Sequence, residues 1–262
     1  MVATCLMITA CNRPVKDTNN QSVNAFSVNT ITVEDSLQFP AESLEEWMVN
    51  DMASYLAVVD VPVTESEVLR NSIVKWIGSL LNVNYNGDPN DVMAMVDYDK
   101  KDFLRLETGA PNTHLQHFIN MVEDNDRFVT YTCNTWEYSG GAHGDTYVEG
   151  ATFNKTTGER FTYKMFKNPA MLNEMVKNAV KEQYFDVLLE DTGVTFEDAV
   201  VLEEGAVFPL PESEPWIQND SIVFFYEDYE IAPHPFGLPS CGIPYEVLKG
   251  ELTDNGKTFF GK

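Results

Sequence analysis

Eleven consecutive residues, FVTYTCNTWEY from Phe128 to Tyr138, alternate β-branched or aromatic positions with small polar ones. Such a run loses side-chain freedom in a helix and packs well on a pleated surface, so it reads as a strand. A polar turn cluster, Glu123 to Arg127, precedes it, and the glycine-rich stretch YSGGAHGDTY, Tyr138 to Tyr147, interrupts it. Strand character resumes in TYVEGATFN, stops at the turn NKTTGER and returns in RFTY. The pattern predicts an antiparallel meander over 128–163. Residues 113–122 fit two periods: Leu115, Phe118, Ile119 and Val122 suit a helix, while Leu115, His117, Ile119 and Met121 suit a strand. A hairpin with 128–137 is the preferred reading.

Elsewhere strands and helices mix. Residues 25–39 alternate as a strand. In ESLEEWMVNDMASYLAVV, residues 42–59, Leu44, Trp47, Met48, Tyr55 and Leu56 recur at helical steps and predict a one-sided apolar helix. A second helix is expected from the capping box Thr64-x-x-Glu67, burying Val68, Ile73, Trp76, Ile77 and Leu80. A third opens at Asp88 with Pro89 in its first turn, and a fourth at Asn168-Pro169, with Leu172, Met175, Val176, Ala179 and Val180 as its stripe. The stretches DSIVFFYEDYEIA and CGIPYEVL return to β structure. The class is α+β, with helices packed on an antiparallel sheet.

The charge balance limits partners. With 41 acidic against 17 basic residues among 262, the formal net charge is −24. A surface this acidic repels phosphate backbones, so nucleic acid is excluded as a partner. It attracts basic proteins and divalent cations, or it serves solubility alone. At the N-terminus, Ile8-Thr9-Ala10-Cys11 matches a lipobox: aliphatic, small, small, cysteine. The preceding apolar run is too short to span a bilayer, and no positive n-region precedes it, which fits a start inside a longer leader. Lipidation at Cys11 is therefore expected, with residues 1–10 as signal remnant and 11–24 as a polar tether. This places the protein extracytoplasmically, in a bacterial cell envelope, with the lipid as its one membrane contact. Two folded parts follow, 25–127 and 128–262. Of the cysteines, Cys133 and Cys241 remain in the body, either bridged or as free buried thiols.

The four histidines are His114, His117, His143 and His234. His114 and His117 would share a helix face but point to opposite faces of a strand, and no convincing third ligand accompanies them, so no metal is expected. His143 has Tyr138, Asp145 and Glu149 near it in sequence. These could form an acid/base or ligand set, or His143 could pin a bend that Gly140, Gly141 and Gly144 make possible. No GxSxG or comparable nucleophile pattern is present, which favours binding or structural use over catalysis. In PHPFGLPSCGIP the prolines at 233, 235, 239 and 244 prevent regular pairing. A stiff loop between two strands is expected there, either offering aromatic and histidine side chains to a partner or packed flat on its own domain.

Three motifs in order carry a resemblance: the turn Tyr138-x-Gly-Gly-Ala-His143, the hairpin Asn154-x-x-Thr157-Gly158, and Tyr229-Glu-Ile-Ala-Pro233 ahead of Ile243-Pro244-Tyr245. Together they resemble the C-terminal domain of unknown function shared by the anti-sigma factor RsiV and the peptidoglycan deacetylase PdaC, over about 128–252. Residues 25–127 are more weakly similar to that family's partner domain. The resemblance implies a two-part RsiV-like ectodomain that binds a protein without catalysis or cofactor, the known ligand being lysozyme, which is typically basic. It makes Tyr138, Gly140, Gly141, His143, Tyr229, Glu230, Pro233 and His234 the expected recognition surface or its support. Nothing in the sequence is patterned as the sigma-binding segment or the deacetylase domain of those proteins, so neither output is carried over. The competing expectation is a peptidoglycan- or carbohydrate-acting hydrolase that uses His143 with nearby carboxylates.

Overall fold

The computed structural model describes residues 26–40, 52–81, 87–88, 90–105, 110–202 and 206–261. Cys11, the tether, Pro89 and the first half of the helix expected over 42–59 lie outside them. Two compact units divide the chain. One holds residues up to Met121 with Thr132–Thr146 and Thr156–Gly158; the other holds Val122–Tyr131, Tyr147–Lys155 and the chain from Glu159 onward.

Five strands form one sheet in the order β1-β2-β3-β4-β5. They are β1 (Phe26–Gln38), β2 (Met52–Thr64), β3 (Thr113–Asp124), β4 (Phe128–Tyr138) and β5 (Asp145–Asn154). The expected pairing of 113–122 with 128–137 is present as β3 beside β4. β1 and β2 run antiparallel, from Phe26 opposite Thr64 to Gln38 opposite Met52. β2 and β3 run parallel, from Ala53 opposite Thr113 to Val59 opposite Ile119. The sheet is thus mixed where an antiparallel one was expected. The cause is the connection: two helices lie between β2 and β3, a crossover long enough to return the chain in the same direction.

Those helices are α1 (Glu67–Leu80) and α2 (Val92–Phe103). Ser66, rather than Thr64, caps α1 by accepting the Leu69 N–H, and Asp91, rather than Asp88, caps α2 by accepting the Ala94 N–H. Ile73, Trp76 and Ile77 are buried as expected, but Val68 is 57% exposed and Leu69 takes the inward place.

The helix expected across 42–59 is overturned from Met52 onward. Ala53, Tyr55, Ala57 and Val59 are almost fully buried while Ser54, Leu56 and Val58 are half-buried. That is a period of two, and the valines that follow favour the extended chain over a helical turn. The odd-numbered face packs on α2: Tyr55 Oη donates to Asp99 Oδ2 at 2.8 Å, Lys100 Nζ lies 3.4 Å from Asp35, and His117 Nε2 lies 3.3 Å from the same Asp99. Burial, reinforced by Asp99, raises the Tyr55 phenol well above its ordinary range.

In the second unit β6 (Trp216–Gln218), β7 (Ser221–Phe225) and β8 (Ser240–Pro244) form an antiparallel sheet in that order. Helix α3 (Pro169–Val180) starts as predicted: Asn168 Oδ1 accepts the N–H groups of Ala170 and Met171, and Pro169 occupies the first turn. It buries Leu172, Val176 and Val180, with Met175 and Ala179 at the margin of the core. The core is aromatic, with Phe161 edge-on to Phe259 at 5.3 Å and Phe185 edge-on to Phe196 at 5.2 Å. Strand structure in CGIPYEVL ends at Pro244, and Tyr245–Leu248 is a helical turn, because proline cannot continue the ladder. Cys133 and Cys241 are both buried, and burial pushes the Cys241 thiol up to about 12.

Candidate functional site

Each unit presents one candidate turn. In the first unit, β4 delivers Tyr138 to a bend at Gly140 and Gly141, whose φ values of 103° and 101° are accessible to glycine and strained for other residues. Tyr138 Oη donates to the Gly141 carbonyl at 3.0 Å and closes the bend. Gly144 sits so close to the indole that a Cβ there would lie 2.7 Å from Trp136 Nε1. The segment 139–144 is therefore folded around Trp136 and Tyr138.

His143 is exposed at the outside of this bend. Its Nδ1–H donates to the Gly144 carbonyl at 3.2 Å and lies 3.8 Å from Asp145 Oδ1. The side chains of His143 and Asp145 are 41% and 47% exposed, so water screens the pair. Among the described residues no group of three or more His, Cys, Asp or Glu side chains is arranged to hold a metal ion. His114 and His117 take opposite faces of β3, as the strand reading requires. His117 is buried and shares a 2.9 Å hydrogen bond with Thr135, while His114 is half-buried and shares one of 2.7 Å with Ser54. On the His114 side of the sheet, the rings of His114, Trp136 and Tyr138 run nearly parallel, with centroids 6.0–6.4 Å apart. The motif reading singles out Tyr138 and passes over Trp136. The signal is there all the same, because residues two apart on a strand share a face.

In the second unit, the chain between β7 and β8 makes a turn that its own carboxylates fix. Glu230 accepts the Glu212 N–H at 2.7 Å and the Glu227 N–H at 2.8 Å. Glu227 accepts the Val148 N–H at 3.0 Å. Asp228, only 10% exposed, receives the Nδ1–H of His234 on Oδ2, while its buried Oδ1 has no hydrogen-bond partner among the described residues. Ile231 and Ala232 are buried in the core, and Val201 N donates to the Ile231 carbonyl at 2.9 Å. So the motif Tyr-Glu-Ile-Ala-Pro is no strand: it is a plug followed by a one-turn 3-10 helix, His234–Phe236, that Pro233 initiates. Burial pushes the Glu227 carboxyl up to about 7, opposed by the Val148 N–H and reinforced by Glu149, Glu230 and Asp228. Burial also raises Glu230, against the two N–H groups it accepts.

Tyr229 projects from this turn. It is 61% exposed, its φ is 63°, and its ring stacks on His234 with centroids 6.1 Å apart. A tyrosine in the left-handed region is uncommon, and surrounding hydrogen bonds must hold it there. The turn thus offers a pre-set aromatic side chain on a rigid base.

Residues 164–246 match the model of the DUF3298 family. That family is described as a protein of unknown function. The DUF3298 match contains Tyr229, Glu230, Pro233 and His234, whereas Tyr138, Gly140, Gly141 and His143 precede it. A solved DUF3298 member from Bacteroides fragilis is similar at TM-score 0.69 and 16% identity, covering 92% of this chain and 100% of its own. Another, from Pseudomonas aeruginosa, is similar at TM-score 0.58 and 16% identity, covering 90% of this chain and 98% of its own. Both show the α+β fold of DUF3298 proteins extending across nearly the whole chain. No curated protein matches this sequence.

Proposed function

We propose that the chain is a non-catalytic, lipid-anchored protein of the bacterial cell envelope whose body binds a basic protein, lysozyme or a similar wall hydrolase. The observation that carries this reading is Tyr229: an exposed aromatic, fixed at positive φ by Glu230, His234 and Asp228, on a chain of net charge −24. A rigid tyrosine loses little entropy on contact and is a common interface anchor, while the acidic surface steers a basic ligand toward it. Glu230 and Pro233 act in this reading as supports: one holds two backbone N–H groups, the other initiates the 3-10 turn. Cys11 carries the anchor, and the polar tether holds the body away from the membrane. The resemblance to the RsiV-type ectodomain supplies lysozyme as the first ligand to try.

Calorimetric titration of the purified chain with lysozyme, repeated as salt is raised, tests this. Saturable binding that persists when exposed charge pairs are screened supports the reading; heat that vanishes with salt marks non-specific attraction and overturns it.

A further inference from the structure

The sheet face of the first unit that carries Trp136 has a chemistry unlike the rest of the chain. α2 packs against the odd-numbered side chains of β1, β2 and β3, through Asp35, Tyr55 and His117. The other face presents Ser54, His114, Gln116, Asn134, Trp136 and Tyr138; Asn134 is exposed, the other five half-exposed. Alternation along the strands places them together, and the Ser54–His114 bond and the ring contacts of His114 with Trp136 and Tyr138 confirm the side. Beside the half-buried Leu56, Val58 and Phe118, which alternation puts on the same face, these are hydroxyl, amide, imidazole and aromatic groups. Within the first unit, the carboxylates that alternation brings to this face are Glu34 on β1 and Asp60, whose two oxygens already accept from Thr30 Oγ1 and the Met121 N–H. In a chain with 41 acidic residues, a face so poor in charge does not suit a basic partner.

We infer that this face is a second binding site, for a neutral polysaccharide chain of pyranose sugars. A pyranose ring offers a patch of C–H hydrogens, weakly positive, to the negative face of an aromatic ring, and its rim of hydroxyls needs donors and acceptors in the same plane. The half-exposed rings of His114, Trp136 and Tyr138, nearly parallel with centroids 6.0–6.4 Å apart, would supply the first, and Ser54, Gln116 and Asn134 on the same face the second. The bend at 140–144 then serves to fix two of those rings, through the Tyr138–Gly141 hydrogen bond and the close seat of Gly144 on the Trp136 indole. Sugar sites of this kind are preorganised and neutral, so binding is insensitive to salt, in contrast to the basic-protein surface proposed above.

The test uses the full chain with two uncharged probes, the hexasaccharides of N-acetylglucosamine and of glucose, each β-linked, followed by calorimetry and by tryptophan fluorescence. Saturable binding of at least one probe is expected, with a Kd unchanged between low and high salt. Tyr138→Ala and Gln116→Ala, both at half-exposed positions and checked for folding by circular dichroism, should each weaken it tenfold or more, and Trp136→Phe should retain part of it. Lack of saturable binding for both probes overturns the inference. So does binding that folded Tyr138→Ala and Gln116→Ala leave unchanged. Because the probes carry no charge, failure here is separate from failure to bind lysozyme; a Tyr138→Ala variant that loses lysozyme, in a parent that binds no sugar, would overturn the inference and reassign this face to the protein ligand.

Discussion

The two turns look alike on paper: each sets a tyrosine and a histidine beside an aspartate at the end of a strand. They differ in what holds them. Asp145 is 47% exposed and touches His143 at 3.8 Å, whereas Asp228 is 10% exposed and in direct contact with His234. The first turn is shaped by glycine backbone and by its fit to Trp136. The second is shaped by carboxylates that accept backbone N–H groups. A histidine–carboxylate pair in sequence therefore says little about rigidity until the burial of the carboxylate is known.

The largest contrast is expected at Glu230. Replacing it with alanine leaves the N–H groups of Glu212 and Glu227 without their acceptor, which should cost about 3 kcal/mol in urea unfolding. Asp145→Ala should stay within about 0.5 kcal/mol of the parent in the same assay. Next comes the pH response. Glu227 holds its proton to about 7 in the folded protein against an ordinary 4.5, so the folded state binds more protons between those values. Stability should be highest below about 4.5 on account of this residue alone and should fall as pH rises to about 7, by about 1–3 kcal/mol given its partial exposure. Glu227→Gln should flatten that slope in a melting series from pH 4 to pH 8. Smaller again is the glycine bend: Gly140→Ala, at φ 103°, should cost about 1–2 kcal/mol even though no described residue beyond its chain neighbours lies within 4 Å of the added carbon. His143→Ala should be the smallest, within about 0.5 kcal/mol, since its ring is exposed and screened. A large His143 effect would erase the distinction between the two turns.

Much of this organisation is legible in the residues. The run at 128–138, the hairpin with β3 and the Asn168-Pro169 helix start all follow from local periodicity and capping. What misleads is the stretch 52–59, where Tyr55 and Leu56 satisfy a helical step, yet β2 is a buried strand between β1 and β3. Tertiary pairing decides there, and the parallel β2–β3 register has no local signature. In the second turn, the sequence motif singles out Glu230 and passes over its neighbours Glu227 and Asp228, and the three carboxylates have no local signature of burial. Only folding reveals that Glu227 and Glu230 accept the backbone N–H groups of Val148 and Glu212, residues distant in sequence. Tyr229 is legible as a candidate, but its positive φ is not, because the constraint comes from the neighbours that pin it.

The central claim is that Tyr229 is a fixed anchor for a basic protein ligand. The most direct measurement is the Kd for lysozyme, at a salt concentration that screens exposed pairs, of the parent chain and of Tyr229→Ala. The account predicts a loss of about thirtyfold or more for Tyr229→Ala, near 2 kcal/mol, in a protein with unchanged melting. Equal affinity in the two chains, or no measurable affinity in the parent, would contradict it.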